Sequence, residues 1–289
     1  KQSRITLLLV AVISFALASA YAFMSVDLFR AETVLLPAES SGSGASLGGQ
    51  LGQAASFVGI NIGDENRQID YALAALRSRE LIVNYIHKQG IAVPLMAGNW
   101  NKQENQSKIN PQYYNLQTAS WQGKFAPNGP SDWQLFNAFY GLLTITEDRQ
   151  SSIIRVAIEW IDPVLASEWV NGIVDEVNEI VKARDLAEAM RAIVFSRAQL
   201  EATQLVDMQK IFYGIIEEQT KVVLLADVRD EYVFQVVDRA VVAEEKIAPR
   251  RTLIMLAGLF VGFILGILFV LFKHYFNYRS TEKLGDHAR

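Results

Sequence analysis

The sequence predicts an α+β membrane protein with two transmembrane helices, a membrane-proximal α/β base domain and a long protruding helical rod. Three observations lead to this class. An apolar run lies near each end of the chain, and β-prone segments recur early, midway and late between these runs. A long proline-free stretch with helical periodicity follows Pro163. We therefore expect the strands to gather near the membrane and the long helix to extend away from it.

The two apolar runs, Ile5–Met24 and Thr252–Phe272, each contain about 20 residues and no charged side chain. A helix of about 20 residues spans the hydrocarbon core of a bilayer, which is about 30 Å thick. We therefore predict transmembrane helices at 5–24 and 252–272. They enclose one large domain at 25–249, with a truncated tail at 1–4 and a second tail at 273–289.

The first run also resembles a cleavable signal peptide. Lys1 and Arg4 precede it, and the small residues Ala18-Ser19-Ala20 lie near its end. Both interpretations stay open at this stage, and the prediction adopted is an anchor that remains in the protein.

The orientation follows from the basic residues beside the two runs. Six lie on the side of the tails and four on the side of the domain, which weakly favours cytoplasmic tails. The six are Lys1, Arg4, Lys273, Arg279, Lys283 and Arg289, and the four are Arg30, Lys246, Arg250 and Arg251. We expect a two-pass protein with both tails in the cytoplasm and the main domain on the other side of the membrane.

The composition is that of a folded chain, with 51% hydrophobic and 20% charged residues. A formal net charge of −4 argues against a nucleic-acid partner. The chain has no cysteine, which excludes disulfides and cysteine-based metal sites and is compatible with an oxidising periplasm.

The domain begins with a β-prone run, and a strand is predicted near residues 31–36, before Pro37. Residues 40–63 are rich in Gly, Ser and Ala. They fit a mobile linker, but the scattered residues Leu47, Leu51 and Phe57 equally fit a loop packed on a neighbouring surface.

An amphipathic helix is predicted over 64–89, because apolar residues recur near one face and Gly90 follows as a stop signal. Residues 91–130 contain several prolines and aromatics and are expected to be irregular. A short helix is expected at 133–140.

A β-hairpin is predicted from strands near 142–147 and 152–160, separated by a polar turn. Alternation in the second strand places Ile154, Val156 and Ile158 on one face and Arg155 with Glu159 on the other. A further strand is predicted near 232–240.

The long helix is predicted at about 163–209. Asp162 is a suitable N-cap, and Pro163 suits the first helical position. A helix of this length would be about 70 Å long, which indicates a rod. Two shorter helices broken near Ala183–Asp185 remain the alternative.

The second apolar run carries Gly258, Gly262 and Gly266 at intervals of four residues, which places them on one helix face. In lipid such small residues allow helices to approach closely, so we expect a packing face. Its partner could be the first run, a neighbouring protomer or another membrane protein, although glycine is also common in membrane helices. Pro249, Arg250 and Arg251 form the linker into this run.

Residues typical of catalysis form no recognisable motif. The three histidines, His87, His274 and His287, are scattered, and no zinc signature, nucleophile motif or phosphate loop occurs. The acidic pairs Glu217-Glu218 and Glu244-Glu245 are expected to be solvated faces. We predict no cofactor, no metal and no enzymatic activity.

Three segments in this order resemble the Wzz family of chain-length determinants, also called polysaccharide co-polymerases. The first is Ala72–Arg79, followed some twenty residues later by Trp100. The second is Asp162-Pro163 with Ala166, Trp169 and Asn171, and the third runs from Val236–Ala240 through Pro249-Arg250-Arg251 into the glycine-bearing second run. The resemblance covers nearly the whole chain, although the family often has several prolines before the second span and only Pro249 is present here.

The resemblance implies an α/β base with helical rods, assembled into a ring- or bell-shaped homo-oligomer in a Gram-negative inner membrane. It implies control of the length of a polysaccharide, such as lipopolysaccharide O-antigen, made by a separate Wzy-type polymerase. Further partners are membrane lipid and, as a candidate, lipid-linked polysaccharide.

Two other classes share part of this architecture. The membrane subunit of a tyrosine-kinase-linked capsule or exopolysaccharide exporter has the same outer organisation. Only 17 residues follow Phe272, so we expect no fused kinase, and a separate kinase subunit stays open. A two-span sensory receptor would need a signalling module after the second run, and the sequence shows none.

Overall fold

The computed structural model describes residues 2–38, 65–101, 106–148 and 150–285. The prediction for residues 40–63, whether linker or packed loop, lies outside this part of the chain. Two compact units are present: an anchor unit of residues 1–29 and 244–289, and a central unit of residues 30–243. The mixture of sheet and helices predicted for the chain is confirmed.

The described helices are α1 (Gln2–Met24), α2 (Glu65–Leu76), α3 (Arg79–Gln89), α4 (Ala92–Ala97), α5 (Asp132–Tyr140), α6 (Pro163–Ala202), α7 (Val206–Val228) and α8 (Arg251–Gly285). The described strands are β1 (Leu28–Pro37), β2 (Gly98–Asn101), β3 (Gln106–Ile109), β4 (Tyr114–Asn115), β5 (Ser120–Trp121), β6 (Leu143–Asp148), β7 (Ile153–Trp160), β8 (Phe234–Asp238) and β9 (Lys246–Ala248).

The central sheet has the strand order β6-β7-β1-β8. β6 and β7 form an antiparallel hairpin in which Leu143 pairs with Ile158 and Asp148 with Ile153. β8 pairs antiparallel with the second half of β1, from Val34 to Pro37. The sheet therefore joins strands from the beginning, middle and end of the domain, as the sequence predicted.

Strand β7 shows the alternation expected from its sequence. Ile154, Val156 and Ile158 are buried in the core. On the other face, the guanidinium of Arg155 donates to Glu32 of β1 at 3.0 Å, and Arg30 lies 3.6 Å from Glu159. The apolar face of the strand thus drives packing, while its charged face forms cross-strand ion pairs.

Helix α6 supplies the largest buried stripe against the core. Its first 19 residues bury Trp169, Val170, Ile173, Val174, Val177 and Val181. Asp162 caps the helix, because its carboxylate accepts the N–H groups of Val164 at 2.9 Å and Leu165 at 3.2 Å. The N-cap prediction is confirmed.

The helical hairpin of α6 and α7 differs from the predicted helix. α6 continues through residues 183–185, so the break considered there does not occur. It ends at Ala202 instead of about residue 209, because Thr203 and Leu205 adopt extended backbone. The amide of Gln209 donates to the carbonyl of Thr203 at 3.1 Å, which stabilises the turn. With 40 residues, α6 is about 60 Å long.

The predicted helix over 64–89 is two helices, α2 and α3. Ser78 has extended backbone, and its hydroxyl accepts the N–H of Leu81 at 3.2 Å, so it begins a new helix. The single-helix prediction was wrong because a serine N-cap interrupts an otherwise continuous periodicity. Gly90 ends α3 in the left-handed conformation, with φ of 68°, and the predicted stop is confirmed.

The region predicted to be irregular contains α4 and two short hairpins, β2–β3 and β4–β5. Aromatic pairs hold the second hairpin: the ring of Trp121 lies 5.0 Å from that of Tyr114 and 5.7 Å from that of Phe125. Helix α5 begins at Asp132, one residue before the predicted start, because Ser131 and Gln134 form a capping box.

Two asparagines of α6 bind the backbone around edge strand β8. The Asn178 amide oxygen accepts the N–H of Val233 at 3.0 Å and of Phe234 at 2.9 Å, and its nitrogen donates to the Phe234 carbonyl at 3.0 Å. Two helical turns earlier, the side-chain nitrogen of Asn171 donates to the Ala240 carbonyl at 2.9 Å, and its oxygen accepts the Ala240 N–H at 3.0 Å. These bonds satisfy backbone groups that the sheet leaves free at its edge.

Candidate functional site

The anchor unit brings both predicted apolar runs together as the helix pair α1–α8. Gly258 faces Ala18, and a β-carbon at Gly258 would collide with the Ala18 side chain. A β-carbon at Gly262 would lie 2.6 Å from the β-carbon of Ser14 and 3.1 Å from the α-carbon of Ala11. Glycine at these positions is what allows the two backbones to approach.

The third predicted glycine, Gly266, is buried. Two of the three glycines, Gly258 and Gly262, thus contact α1 of the same chain. The assignment of all three to transmembrane packing stays a prediction.

Large apolar side chains of the pair point away from the contact. Leu256 and Phe260 of α8 are 66% and 68% exposed, and Leu17 of α1 is 67% exposed. Water would penalise such a surface by roughly 25 cal/mol for each Å² of apolar area. The arrangement suits surroundings that are themselves apolar.

Among the described residues, one helix segment, Arg251–Leu268 of α8, is long and apolar enough to cross a membrane. The corresponding apolar part of α1, Ala11–Met24, is shorter. The first crossing at 5–24 therefore stays a prediction, as do the two-pass topology and the positions of the termini.

The linker residues lie beside a small ion cluster. Asp27 accepts the guanidinium of Arg251 at 2.7 Å and the ammonium of Lys246 at 3.3 Å. All three side chains are partly shielded, with exposed fractions between 21% and 37%. Arg251 also lies over the ring of Phe23 at 5.6 Å. Asp27 thus connects the end of α1 with the start of α8.

Backbone contacts strengthen the same connection. Leu28 pairs with Ala248 and Phe29 with Lys246 between the start of β1 and β9. After Pro249, the Arg250 carbonyl accepts the N–H groups of Leu253 at 3.0 Å and Ile254 at 3.2 Å, which begins α8. The helix starts at Arg251, one residue before the predicted span.

The charge at this helix start has a simple electrostatic reason. A cation in the first turn of a helix is disfavoured by the positive end of the helix dipole. Arg251 occupies that turn, and the carboxylate of Asp27 offsets its charge. The Asp27 carboxylate therefore stabilises the start of α8 against the unfavourable position of this cation.

The remaining candidate residues have other contacts. His87 contacts Asp132 at 3.0 Å on the surface of the central unit. Glu217 and Glu218 both contact Lys221 on the exposed face of α7, at 3.1 and 3.0 Å. Glu244 and Glu245 are exposed. Within the described ranges, no group of three His, Asp or Glu side chains could hold a metal ion. The side chains of His274 and His287 lie outside the described part.

Sequence reasoning missed the partners of the linker and of the glycines. Asp27 lies more than 200 residues before Lys246 and Arg251, and no local pattern relates them. A usable signal existed in α1: Ala11, Ser14 and Ala18 recur at intervals of three and four residues, which places small side chains on one helix face.

Residues 219–275 match the model of the GNVR family, whose description is "G-rich domain on putative tyrosine kinase". The matched segment runs from the second half of α7 through β8 and β9 into α8. It includes the closing segment, Val236 to the second apolar run, on which the resemblance to the Wzz-type family partly rests. The family resemblance predicted from the sequence is therefore confirmed at this segment.

Solved structures similar to the chain include polysaccharide co-polymerases. A full-length bacterial polysaccharide co-polymerase is 9% identical, with a TM-score of 0.39 and 96% of each chain covered. A fragment of WzzB, a polysaccharide co-polymerase from Salmonella Typhimurium, is 9% identical with a TM-score of 0.28, covering 77% of this chain and 100% of the other. Both likenesses are too low to assign an activity. No curated protein matches the chain significantly.

Proposed function

We propose that this chain is a non-enzymatic regulator of polysaccharide chain length that acts as an oligomeric scaffold with a separate Wzy-type polymerase. The polymer we propose is lipopolysaccharide O-antigen. The observation that carries the proposal is that two segments of the Wzz-like pattern meet in space. Asn171, from the start of the long helix, binds both backbone groups of Ala240, from the closing segment.

The mechanism follows from attachment at both ends of the central unit. Two membrane crossings, at 5–24 and 252–272, would hold the domain at one surface of the inner membrane, with both termini cytoplasmic and the domain periplasmic. Protomers side by side in a ring or bell would then present a surface of defined size to the polymerase. That size would bias when chain growth ends, and no bond need be made or broken by this chain.

The anchor unit supports this mechanism in two ways. The close contact at Gly258 and Gly262 fits helices that associate in lipid without hydrophobic driving force. Within the anchor unit, the ion pairs of Asp27 with Lys246 and Arg251 join the segment after α1 to the start of α8. Both features suit a scaffold whose geometry has to be maintained.

Deletion of the gene, followed by gel analysis of surface polysaccharide, tests the proposal. We expect polymer still to be made, with its modal band replaced by a broad, unregulated length distribution. Expression of the intact chain should restore the modal band. An unchanged length distribution in the deletion strain would refute chain-length control.

A second candidate function is supported by the GNVR match, since that family's description refers to a tyrosine kinase. The chain would then be the membrane subunit of a kinase-linked capsule or exopolysaccharide export system. Deletion should in that case abolish surface polymer entirely. Affinity isolation of the tagged chain should also recover a tyrosine-phosphorylated ATPase. A length regulator should be isolated without such an ATPase.

A further inference from the structure

The central sheet has two edges of different character. Strand β6 forms one edge, and β8 forms the opposite edge beside the second half of β1. An edge strand carries backbone N–H and C=O groups that no neighbouring strand of its own sheet satisfies. Such groups bond to water, to side chains or to a strand of another chain. The two edges of this sheet satisfy them differently.

The edge at β8 is closed by side chains of the same chain. The N–H of Phe234 donates to the amide oxygen of Asn178 at 2.9 Å. The N–H of Val236 donates to the carboxylate of Glu231 at 3.3 Å. Phe234 and Val236 are alternate residues, as expected for groups that point away from β1. A second chain could pair with this edge only after displacing both side chains.

The edge at β6 has no such protection. Leu142 accepts the N–H of Glu159 at 3.2 Å, so Leu142 and every second residue after it bond to β7. The N–H and C=O groups of Leu143, Ile145 and Glu147 therefore point away from β7. Within the described ranges, no strand and no side chain bonds to these groups. They form an open edge.

The sequence of β6 also lacks the features that usually discourage pairing at an edge. The strand contains no proline and no lysine, and its register with β7 is regular from Leu143 to Asp148. Thr144 and Thr146 are exposed on its outer face, and threonine favours strands. A regular open edge of this length is suited to the addition of another strand.

A second copy of β6 complements this edge in one antiparallel register. When Ile145 lies opposite Ile145 of the second copy, Leu143 lies opposite Glu147 on both sides. All three outward-pointing residues of each strand then pair, which gives about six hydrogen bonds across the contact. A shift by two residues in either direction loses about two of these bonds. The backbone therefore favours the register that is centred on Ile145.

The side chains favour the same register. It places Thr144 opposite Thr146 on the outer face, and facing threonines are a favourable cross-strand pair. The acidic residues at the end of the strand, Glu147 and Asp148, lie opposite leucines rather than opposite each other. No like charges face across the contact, so the edge is complementary to itself.

We propose that β6 pairs antiparallel with β6 of a second copy of this chain, so that one sheet continues through both central units. Ile145 lies at the two-fold axis of this contact. An isologous contact of this kind joins two copies and cannot by itself close a ring. It is therefore additional to the side-by-side contacts of the proposed function and does not depend on them.

Cysteine cross-linking tests the pairing, because the chain has no cysteine of its own. Thr144→Cys and Thr146→Cys are introduced into separate full-length copies that carry different affinity tags and are expressed together. In the proposed register these two side chains face each other, with about 4.5 Å between their β-carbons, which is within reach of a disulfide. Oxidation of isolated membranes should give a disulfide-linked dimer that carries both tags.

Each cysteine variant expressed alone is the control for the register. Two copies of Thr144→Cys, or two of Thr146→Cys, are diagonal neighbours about 7–8 Å apart, so we expect about tenfold less dimer. A register shifted by two residues would instead cross-link one of these variants with itself. Thr144→Cys expressed with Thr220→Cys, an exposed position on α7, measures cross-linking by random collision.

Charge substitutions test the contact without a cross-link. Thr144→Glu with Thr146→Glu places carboxylates opposite carboxylates and should weaken the pairing about tenfold. Thr144→Lys with Thr146→Glu is the matched variant and should retain it, because each cation faces a carboxylate. A nitroxide label at Gln150→Cys, in the turn after β6, reports the pairing as a distance of about 30 Å between copies. Circular dichroism should show both variants to be folded.

Several outcomes would overturn the proposal. They are absence of a dimer with both tags, equal cross-linking of either cysteine variant alone, and equal loss or retention of the 30 Å distance in both charge variants. Cross-linking to a different protein would also overturn it, since a strand of that protein would then occupy the edge. The deletion experiment on polymer length is independent. Length control without cross-linking refutes the β6 contact alone, whereas cross-linking without length control refutes only the proposed function.

Discussion

The central unit and the anchor unit are built in opposite ways. The central unit buries large side chains such as Phe139, Phe234 and Ile158, each fully shielded from solvent. Among the described side chains of the anchor unit, the buried residues are small, Ala11, Ala22 and Gly262 among them, and large residues such as Phe260 are exposed. Water drives the first arrangement by excluding apolar surface.

The contrast indicates a different environment for each unit. In lipid, an exposed phenylalanine or leucine carries no penalty, and helices associate through close packing of backbones. Small residues at the contact and large ones outside are therefore expected in a membrane, and the reverse is expected in water. Exchanging large and small side chains in each unit tests this contrast.

The largest expected effect follows from placing large residues in the anchor contact. Gly258, Gly262 and Gly266 replaced together by leucine should separate α1 from α8, because side chains there collide with Ala18 and Ser14. The chain has no cysteine, so nitroxide labels at Tyr21→Cys and Leu253→Cys can report the distance between the helices. In this variant we expect the mean distance between the labels to increase and the distribution of distances to broaden.

The matched control places leucine at outward positions of the same helix, Val261, Phe260 and Phe263, and should leave the distance unchanged. The particle size in native mass measurements and the modal polymer length should shift only in the glycine variant. If all three readouts are unaltered by leucine at the glycines, the packing face does not exist.

Removing a large residue from the central core is the reciprocal change. Phe139 is fully buried and contacts the rings of Tyr85 and Trp169. Phe139→Ala should lower the free energy of unfolding by about 3–5 kcal/mol, measured by urea titration. Phe195→Ala, at a residue that is 49% exposed, should change it by only about 0.5 kcal/mol. If both variants lose the same free energy of unfolding, Phe139 does not lie in the core.

A smaller effect is expected at the edge of the sheet. Asn178→Ala leaves the N–H groups of Val233 and Phe234 and the carbonyl of Phe234 without their side-chain partner. Unsatisfied buried groups cost about 1–3 kcal/mol, so unfolding should become easier by about that amount. Amide hydrogen exchange at Phe234 should accelerate. The exposed Asn137→Ala on α5 is the control, and a similar loss there would refute the role of Asn178.

The smallest effect concerns the charged face of the sheet. Partial burial raises the pKa of Glu32, but hydrogen bonds from Arg155 and Arg30 outweigh it and lower the pKa below the ordinary 4.5. Its contribution to stability is thus present above pH 4.5 and is lost as the pH falls through the lower, folded-state value.

Glu32→Gln should therefore cost at most about 1 kcal/mol at neutral pH and flatten the loss of stability on acidification. Urea titrations at a series of pH values measure both. Glu201→Gln, at an exposed position near the end of α6, should leave the pH profile unaltered. If the free energy of unfolding falls as steeply with pH in the Glu32→Gln variant, the loss of stability in acid is due to other carboxylates.

Helix boundaries could be predicted from the sequence where they depend on a few neighbouring residues. Gly90 and Asp162 were identified correctly because a helix cap involves only neighbouring residues. Ser78 was missed, since apolar periodicity continues on both sides of it. The end of α6 at Ala202 was also missed, because Thr203–Leu205 contains neither proline nor glycine and its turn is stabilised from Gln209.

The candidate site was predictable in part. The interval of four between Gly258, Gly262 and Gly266 indicated a packing face, yet it left three possible partners open. The ion cluster at Asp27 and a cavity beside Trp169 had no sequence signal, because their members come from distant parts of the chain. Only folding brings such groups together.

The amino-acid sequence alone determined the two apolar runs, the strand alternation around Val156 and the helix start at Asp162, because each depends on periodicity or on neighbouring residues. Other contacts became known only from the tertiary structure. Ala18 and Ser14 contact the glycines of α8, and Asn171 binds Ala240. Gln89 and Glu168 line one cavity. These contacts join residues far apart in the chain, and their energy depends on which surfaces exclude water and fit closely together.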